Sequence, residues 1–237
     1  MDVQRLDKFI SNQCFDISRS GVKDLVKKGK VTVNGKVVKK ADEKIDAESD
    51  EICVFGKRIV YKKHLYIMLN KPAGVVCATR DGLSPTVLAL LPDELKREGL
   101  FPAGRLDKDT EGFVLITSDG DLAHKMLAPK SHVPKLYYVR LEMPLAKNAE
   151  NEFKTGMTLL DGTSCLPAEL ERINEKECFV TLHEGMFHQV KRMFEALGNK
   201  VTYLKRVKIG GVDLDGGLAL GEVRELTPSE VEKLLLR

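Results

Sequence analysis

The spacing of apolar positions at the start of the chain predicts two short helices. The first covers residues 5–15, and the second covers about 19–29. Ser18 precedes the second helix and is a typical N-cap, while Gly29 is a typical stop signal. The apolar residues on the inner face of the first helix are Leu6, Phe9, Ile10 and Cys14.

A small sheet is predicted directly after these helices. The sequence VTVNGKVV (31–38) contains Asn34-Gly35 between two β-branched runs, which is a strong hairpin signal. A further short strand is predicted over 50–55. The two helices and these strands make a unit of about 60 residues, so the first domain is predicted to span residues 1–60.

The rest of the chain, residues 61–237, is predicted to be a larger second domain. A basic linker, GKRIVYKKH (56–64), separates it from the first unit, and an apolar strand begins at Leu65. The further predicted strands are 74–79 and the apolar segments FVLITS, KLYYVRLE, ECFVTLHE and KVTYLKRVKIGG. The predicted helices are 85–91, 120–128, 147–156, 188–197 and 228–236. Too few helices separate the strands for a doubly wound sheet, so the pattern favours an α+β fold with a largely antiparallel mixed sheet.

Composition excludes several classes of protein. The 237 residues contain no apolar run near the ~20 residues that a membrane span needs. The start, MDVQRLDKFI, lacks the apolar core of a signal peptide, so we expect a cytoplasmic protein. The five cysteines are scattered without a C-x-x-C pair, which argues against a disulfide framework and a structural zinc site.

Positive charge is concentrated in the first quarter of the chain. Residues 1–63 hold 15 Lys or Arg against 10 Asp or Glu, while the remainder holds 23 against 25. This asymmetry indicates a polyanion-binding module attached to a nearly neutral domain. On the second helix the basic residues follow one face, although such a face is often simply solvated. The residues on this face are Arg19, Lys23, Lys27 and Lys30.

The order of elements in the first unit resembles the S4 RNA-binding domain along its whole length. The resemblance is carried by RLDKFI followed by SRSGVKDLVKKGKVTVNGKVV. In that family the second helix and the start of the hairpin contact RNA phosphates. The resemblance therefore implies that RNA is bound, with an affinity that falls as salt rises, by Arg19, Lys23, Lys27, Lys28 and Lys30.

The most informative stretch of the second domain is GRLDKDTEGFVLITSDG (104–120). It is a glycine-led turn crowded with charge that runs into a buried strand. Asp107, Asp109 and Glu111 alternate with polar or basic neighbours. Taken alone, such carboxylates are most often solvated or cap the backbone of a loop.

The same stretch resembles the main signature of ribosomal pseudouridine synthases, G-R-L-D-x-x-T-x-G-L-x-L-x-T-x-D-G. Each fixed position matches except for Phe113, which replaces a leucine. The resemblance implies that Asp107 is the catalytic aspartate, and that Arg105 and Thr110 help to shape its loop. The implied fold is a pseudouridine synthase catalytic domain behind a small S4-like α/β domain.

Two further blocks follow in the order that this family shows. KLYYV (135–139) resembles its K-x-Y block, which makes Tyr137 the functional tyrosine, although either tyrosine alone reads as an ordinary strand residue. EGMFHQVKRMFEALG (184–198) supplies a basic residue to pair with the aspartate, and Lys191 aligns best. Arg192 and His188 are the implied substrate contacts in this block, and Leu204 is implied to lie against the target base.

The implied reaction explains these residue types. It breaks the bond from C1′ to N1 of uridine, turns the base and rejoins it through C5. One ionised carboxylate near a cation, and an aromatic ring for the unstacked base, meet those needs. The Tyr137 hydroxyl is also a candidate for assisting removal of the C5 proton. No metal or cofactor is required.

Within the family, details favour the branch that modifies small-subunit rRNA. His188-Gln189-Val190-Lys191-Arg192-Met193 and LSPTVLALLP (83–92) resemble the synthases of pseudouridine 516 in 16S rRNA. The implied partner is small-subunit rRNA or an assembling 30S particle, bound by a monomeric protein. Three alternatives stay open: a large-subunit (23S) rRNA target, a non-catalytic ribosome-assembly protein, and a metal hydrolase that uses the carboxylates of 107–111.

Overall fold

The computed structural model describes residues 1–14 and 16–236 and divides the chain into two compact units. The first unit comprises Met1–Leu65 and Leu91–Leu100, and the second comprises Tyr66–Leu90 and Phe101–Arg237. The segment Leu91–Leu100 thus packs with the first unit, although it lies beyond residue 60 in sequence. No described helix is long and apolar enough to cross a membrane.

Each predicted helix except the one over 85–91 is present as an α-helix. Ser18 caps the second helix by accepting a hydrogen bond from the Gly21 amide, and Gly29 ends it with a φ of 65°. The described part of the chain contains the α-helices α1 (Leu6–Gln13), α2 (Arg19–Lys27), α3 (Gly120–Leu127), α4 (Ala149–Thr155), α5 (Gln189–Ala196) and α6 (Pro228–Lys233).

In the first unit, the two helices cover small antiparallel sheets. Asn34 and Gly35, with φ of 51° and 75°, form the predicted hairpin turn between β2 (Val31–Val33) and β3 (Lys36–Val37). The other strands are β1 (Val3–Arg5), β4 (Lys44–Asp46), β5 (Ile52–Val54) and β6 (Lys57–Arg58). The strand order is β3-β2-β5-β6 in one sheet, while β1 pairs with β4. Residues from both helices and these strands share one apolar core, including Leu6, Phe9, Val22, Val31 and Ile52.

The second unit contains a nine-stranded mixed sheet. Its path is β11-β12-β10-β13-β9-β7-β15, with β8 paired to β9 and β14 paired to β13. Its strands are β7 (Tyr66–Lys71), β8 (Phe101–Ala103), β9 (Glu111–Thr117), β10 (Lys135–Leu141), β11 (Glu169–Arg172), β12 (Glu177–Leu182), β13 (Val201–Ile209), β14 (Val212–Asp213) and β15 (Val223–Glu225). Only the described pair β9–β13 is parallel. The predicted α+β fold with a mostly antiparallel mixed sheet is therefore confirmed.

The prediction of a strand over 74–79 is wrong. Ala73 and Gly74 form a turn, and only Val76 makes an isolated bridge, to Thr86. The backbone of this stretch bonds to other loops: the Gly74 amide donates to the Lys108 carbonyl over 2.7 Å. The predicted helix over 85–91 is a short 3-10 helix, Val87–Leu90.

Strands β9 and β13 approach each other unusually closely at Gly112. This residue pairs with Arg206 and has a φ of 103°. A Cβ atom there would lie 2.2 Å from the Arg206 carbonyl oxygen, so only glycine fits. The start of β9, which directly follows the signature loop, is thereby held against β13.

Candidate active site

The signature loop that carries Asp107 connects β8 to β9. Gly104 opens it with a φ of 95°, and the Thr110 amide closes it by donating to the Asp107 carbonyl over 3.1 Å. The Leu106 amide lies 3.3 Å from the Cys77 sulfur. Both ends of the loop are thus anchored on strands of the central sheet, which holds the Asp107 side chain in place.

A fully buried lysine lies beneath this loop. Lys71, the last residue of β7, donates from Nζ to the carbonyl oxygens of Thr110 (2.7 Å), Pro72 (3.0 Å) and Lys108 (3.3 Å). Burial lowers the pKa of Lys71, since removal from water penalises the charged form. The Lys71 side chain therefore ties β7 to the backbone on either side of Asp109.

Two side chains from the 184–198 block contact the Asp107 carboxylate. Lys191 Nζ lies 3.2 Å from Asp107 Oδ2, and His188 Nε2 lies 3.4 Å from Asp107 Oδ1. The His188 backbone is left-handed, with a φ of 49°, immediately before α5 begins. This strained turn and the first turn of α5 together bring the imidazole and the ammonium group to the same carboxylate.

Lys191 bridges two carboxylates of the signature loop. Its Nζ also donates to Asp109 Oδ1 over 2.6 Å. Partial burial opposes the charged form of Lys191, but the bonds to Asp109 and Asp107 outweigh it, so its pKa is raised. The same hydrogen bond lowers the pKa of Asp109. A protonated Lys191 therefore balances negative charge at Asp107 across the neutral pH range.

Asp107 forms part of the wall of an open cavity of about 430 Å³. This volume lies within the range of small-molecule sites. The lining residues are Ala73, Gly74, Asp107, Lys108, Asp109 and His188. A substrate in this cavity can therefore contact the Asp107 carboxylate, while the Lys191 ammonium group offsets the negative charge of that carboxylate.

Arg192 pairs with a carboxylate other than Asp107, and the Arg105 side chain forms no ion pair among the described residues. Arg192 forms an ion pair with Asp161 and donates from Nη1 to the Phe187 carbonyl over 3.3 Å. The Arg105 side chain is exposed, and its carbonyl oxygen lies 3.5 Å from Arg206 Nη1. Of the two adjacent basic residues on α5, Lys191 contacts Asp107 and Arg192 contacts Asp161.

Tyr137 and Leu204 lie on neighbouring strands, β10 and β13, and both are buried. Tyr137 pairs with Arg206, and Leu204 pairs with Val139. Arg206 is itself buried and donates from Nε to the Phe113 carbonyl over 2.8 Å. Arg206 also contacts the Arg105 carbonyl oxygen, so it links β13 to the loop that carries Asp107.

Two cations share the sheet region around Tyr137. Burial, together with the positive charge of Arg206, lowers the pKa of Lys135 to about 8. Among the described residues, Arg206 Nη2 has no hydrogen-bond partner, although it is buried. The region beside Tyr137 is therefore rich in positive charge.

Of the three carboxylates of 107–111, Asp107 and Asp109 share Lys191, whereas Glu111 has a different partner. Glu111 accepts a hydrogen bond of 2.6 Å from Tyr203. Burial and this carboxylate raise the pKa of Tyr203 to about 12. Within residues 1–14 and 16–236, no three His, Cys, Asp or Glu side chains are grouped so that they could hold a metal ion.

Of the basic residues predicted to bind RNA, Arg19, Lys23 and Lys27 lie on α2, whereas Lys28 and Lys30 follow its last residue. The side chains of all five basic residues, Arg19, Lys23, Lys27, Lys28 and Lys30, are exposed. Arg19 also has a structural contact, since it donates to both carboxylate oxygens of buried Asp7 over 3.2 Å. Arg5 and Arg19 together lower the pKa of Asp7. Arg19 therefore joins α2 to α1 as well as belonging to the basic face.

Three buried polar residues of the site region were not singled out from the sequence. They are Lys71, Arg206 and Gln189. Gln189 accepts from the Met186 amide over 3.0 Å and donates to Glu184 over 2.7 Å, which shapes the turn before α5. Each of these polar residues lies in an otherwise apolar strand or helix face, as Lys71 does after YIMLN. That pattern is the only sequence signal for a buried polar role, and it is weak.

Comparison with known proteins defines the class. The RNA pseudouridylate synthase family matches residues 65–196, and the S4 domain matches residues 4–52. The chain therefore belongs to the RNA pseudouridylate synthase family and carries an S4 domain, so it is a pseudouridine synthase.

Several relatives match over nearly their full length. An uncharacterized RNA pseudouridine synthase of Bacillus subtilis is 45% identical, over 97% of this chain and 98% of its own. Ribosomal small subunit pseudouridine synthase A of Vibrio cholerae is 43% identical, over 97% and 99%. The Escherichia coli protein of the same name is 42% identical, over 98% and 100%. A solved pseudouridylate synthase is 41% identical, with a TM-score of 0.69 over 98% of this chain and 99% of its own.

Proposed function

We propose that this protein isomerises one uridine of small-subunit rRNA to pseudouridine, with Asp107 as the nucleophilic carboxylate. The observation that carries the proposal is the Asp107 carboxylate, which faces the 430 Å³ cavity while Lys191 lies 3.2 Å behind it. A carboxylate can serve as a nucleophile toward a sugar carbon, and the nearby Lys191 ammonium group offsets its negative charge.

The proposed steps balance without any outside group. Asp107 forms a bond to C1′ of the ribose as the C1′–N1 bond breaks. The electron pair of the broken C1′–N1 bond stays on the released uracil. The uracil turns, C5 bonds to C1′, and the Asp107 carboxylate leaves. The C5 proton is then lost and a proton is taken up at N1. Lys191 offsets the returning negative charge, and Tyr137 is the proposed ring for stacking and for assisting the C5 proton transfer.

The proposed substrate follows from the relatives. The Vibrio cholerae and Escherichia coli proteins are named as small-subunit synthases and match this chain from end to end. We therefore propose 16S rRNA, at uridine 516, within free rRNA or an assembling 30S particle, and a monomeric protein that acts in the cytoplasm. Lys23, Lys27, Lys28 and Lys30 would bind phosphates, which position RNA without reading its sequence.

The decisive test compares pseudouridine in rRNA from cells that contain this protein, lack it, or carry Asp107→Asn. The expected result is loss of one 16S pseudouridine in the last two strains. Asp121→Asn is the matched control, since Asp121 is an exposed carboxylate on α3. Purified protein should release tritium from C5-labelled 16S transcript, and should do so in the presence of a chelator.

Other outcomes would identify the competing functions. Loss of a 23S pseudouridine would assign a large-subunit target. Full restoration of the 16S modification by Asp107→Asn would refute the nucleophile. Unchanged rRNA modification in the strain that lacks the protein, combined with tight RNA binding by the purified chain, would point to a non-catalytic assembly role.

A further inference from the structure

An exposed aromatic ring lies beside the proposed active site and has no part in the mechanism described above. The side chain of Phe187 is 72% exposed. A single exposed apolar side chain needs no explanation by itself. Phe187 differs because its ring stacks on the imidazole of His188, with centroids 3.8 Å apart and planes inclined by 17°. That imidazole is the one that contacts Asp107.

The backbone that carries this ring is anchored on both sides. Arg192 donates to the Phe187 carbonyl, and the Arg192 guanidinium is fixed in turn by its ion pair with Asp161. On the other side, Gln189 accepts from the Met186 amide. His188 is held in a left-handed conformation that costs free energy in a residue other than glycine. The ring is therefore presented to solvent by a constrained turn.

The contacts from Asp107 to His188 to Phe187 indicate which part of a bound RNA the Phe187 ring can reach. The Asp107 carboxylate contacts His188, and His188 stacks on Phe187. A uridine whose C1′ reaches Asp107 occupies the cavity on the near side of the imidazole. The free face of the Phe187 ring lies one side chain further out. The ring therefore lies close enough to the cavity for a base next to the reacting uridine to reach it.

We infer that Phe187 is a stacking platform for the nucleobase next to the target uridine, an inference that rests on the proposed function. Drawing a uridine out of an RNA loop removes a stacking partner from its neighbour. An exposed aromatic ring with one open face replaces that partner, and such stacking tolerates any base because every base has a π-face.

The test uses a 16S-derived stem-loop that carries 2-aminopurine on either side of the target uridine. Wild-type protein should quench one of the two probes on binding. Phe187→Ala should abolish that quenching and weaken binding by about tenfold, which corresponds to one lost stacking contact. Phe187→Tyr should retain both. Ile173→Ala is the matched control, because Ile173 is an exposed apolar residue in the turn at the opposite end of β12.

An abasic nucleotide separates stacking from a structural effect on His188. If Phe187 stacks on the neighbouring base, removing that base should weaken wild-type binding and make wild type and Phe187→Ala bind equally. A Phe187→Ala defect that is the same size on abasic and intact RNA would overturn the inference. So would unquenched probes on both sides with bound wild-type protein. Conversion of the uridine by wild type is scored separately, so a quenched probe without conversion would reject only the proposed function.

Discussion

The Lys191 ammonium nitrogen lies 3.2 Å from Asp107 Oδ2, whereas its neighbour Arg192 turns away to Asp161. Adjacent residues on α5 point about 100° apart around the helix axis, so only one of them can face the signature loop. The contact also includes Asp109, which makes Lys191 the shared cation of two carboxylates. It is the structural basis of the first prediction.

We predict that Lys191→Gln lowers the rate of the chemical step by about 100-fold, as for other lost electrostatic contacts in active sites, while RNA binding changes little. The measurement is a single-turnover rate at saturating RNA. Lys154→Gln on α4, an exposed lysine, is the control and should react at the wild-type rate. A wild-type rate for Lys191→Gln would show that charge balance at Asp107 is not needed.

The same ion pairs define a pH dependence. Because they raise the pKa of Lys191, its contribution to stability is fully present below the ordinary lysine pKa and is lost as pH rises through the raised value. We therefore expect the difference in unfolding free energy between wild type and Lys191→Gln to be constant from pH 7 to 9. Urea unfolding at several pH values measures it, and a difference that shrinks across this range would contradict the assignment.

The buried Lys71 makes a third prediction possible. Its ammonium group holds the carbonyls of Lys108 and Thr110, on either side of Asp109, so Lys71→Met should let the loop shift. Methionine fills a similar volume without a buried charge, and stability should change less than activity. We expect the single-turnover rate to fall by roughly 10- to 100-fold, as for a displaced catalytic group.

Thermal unfolding and the rate are measured together for Lys71→Met. Lys125→Met on α3, where the lysine is exposed, is the matched control and should resemble wild type in both. A variant with normal melting and a normal rate would mean that the loop holds its shape without Lys71.

Gly112 supports a prediction about stability. Alanine at this position would place a Cβ atom 2.2 Å from the Arg206 carbonyl oxygen and would strain a backbone with a φ of 103°. We expect Gly112→Ala to destabilise the protein by about 3 kcal/mol or more, since both the strand pair and the local backbone are affected. Gly82→Ala is the control, because a Cβ there meets nothing within 4 Å. The measurement is the urea midpoint of unfolding of both variants. Equal midpoints for Gly112→Ala and Gly82→Ala would contradict the close approach of Gly112 to Arg206.

The basic residues of α2 give the fifth prediction. Lys23 and Lys27 are exposed, so Lys23→Ala with Lys27→Ala should weaken rRNA binding and reduce the steepness with which affinity falls as salt rises, by roughly one unit of log–log slope per phosphate contact. Saturating RNA should restore most of the rate. An unchanged salt slope would show that this face does not meet phosphate.

Arg19 needs a separate variant in that experiment. Its guanidinium pairs with Asp7, so Arg19→Ala removes a structural contact between α2 and α1 together with any phosphate contact. Point substitutions are also preferable to deletion of residues 1–60, because deletion would leave Leu91–Leu100 without the unit on which it packs.

Local signals in the sequence were enough to predict the helices and the hairpin of the first unit. Apolar spacing places Leu6, Phe9 and Ile10 in the core, and Ser18 and Gly29 mark the ends of α2. Each of these signals depends on residues within one or two turns of each other, so no tertiary contact had to be known.

Where backbone partners are distant in sequence, local signals failed. The stretch 74–79 has the composition of a strand, yet its amides bond to Lys108 and Pro85 in other loops. β-propensity reports that a segment suits a sheet, and it does not report whether a neighbouring strand is available.

For the candidate site, the sequence by itself identified the family and predicted Asp107 and its accompanying blocks as the site, because the signature is long and its residues are contiguous. Only the tertiary structure decided that Lys191, and not Arg192, faces Asp107, and that buried Lys71 and Arg206 support the loop. These contacts join residues 39 to 101 positions apart, and they depend on how β7, β13 and α5 pack around one turn. Sequence spacing carries no information about such distances, since they exist only once the sheet has formed.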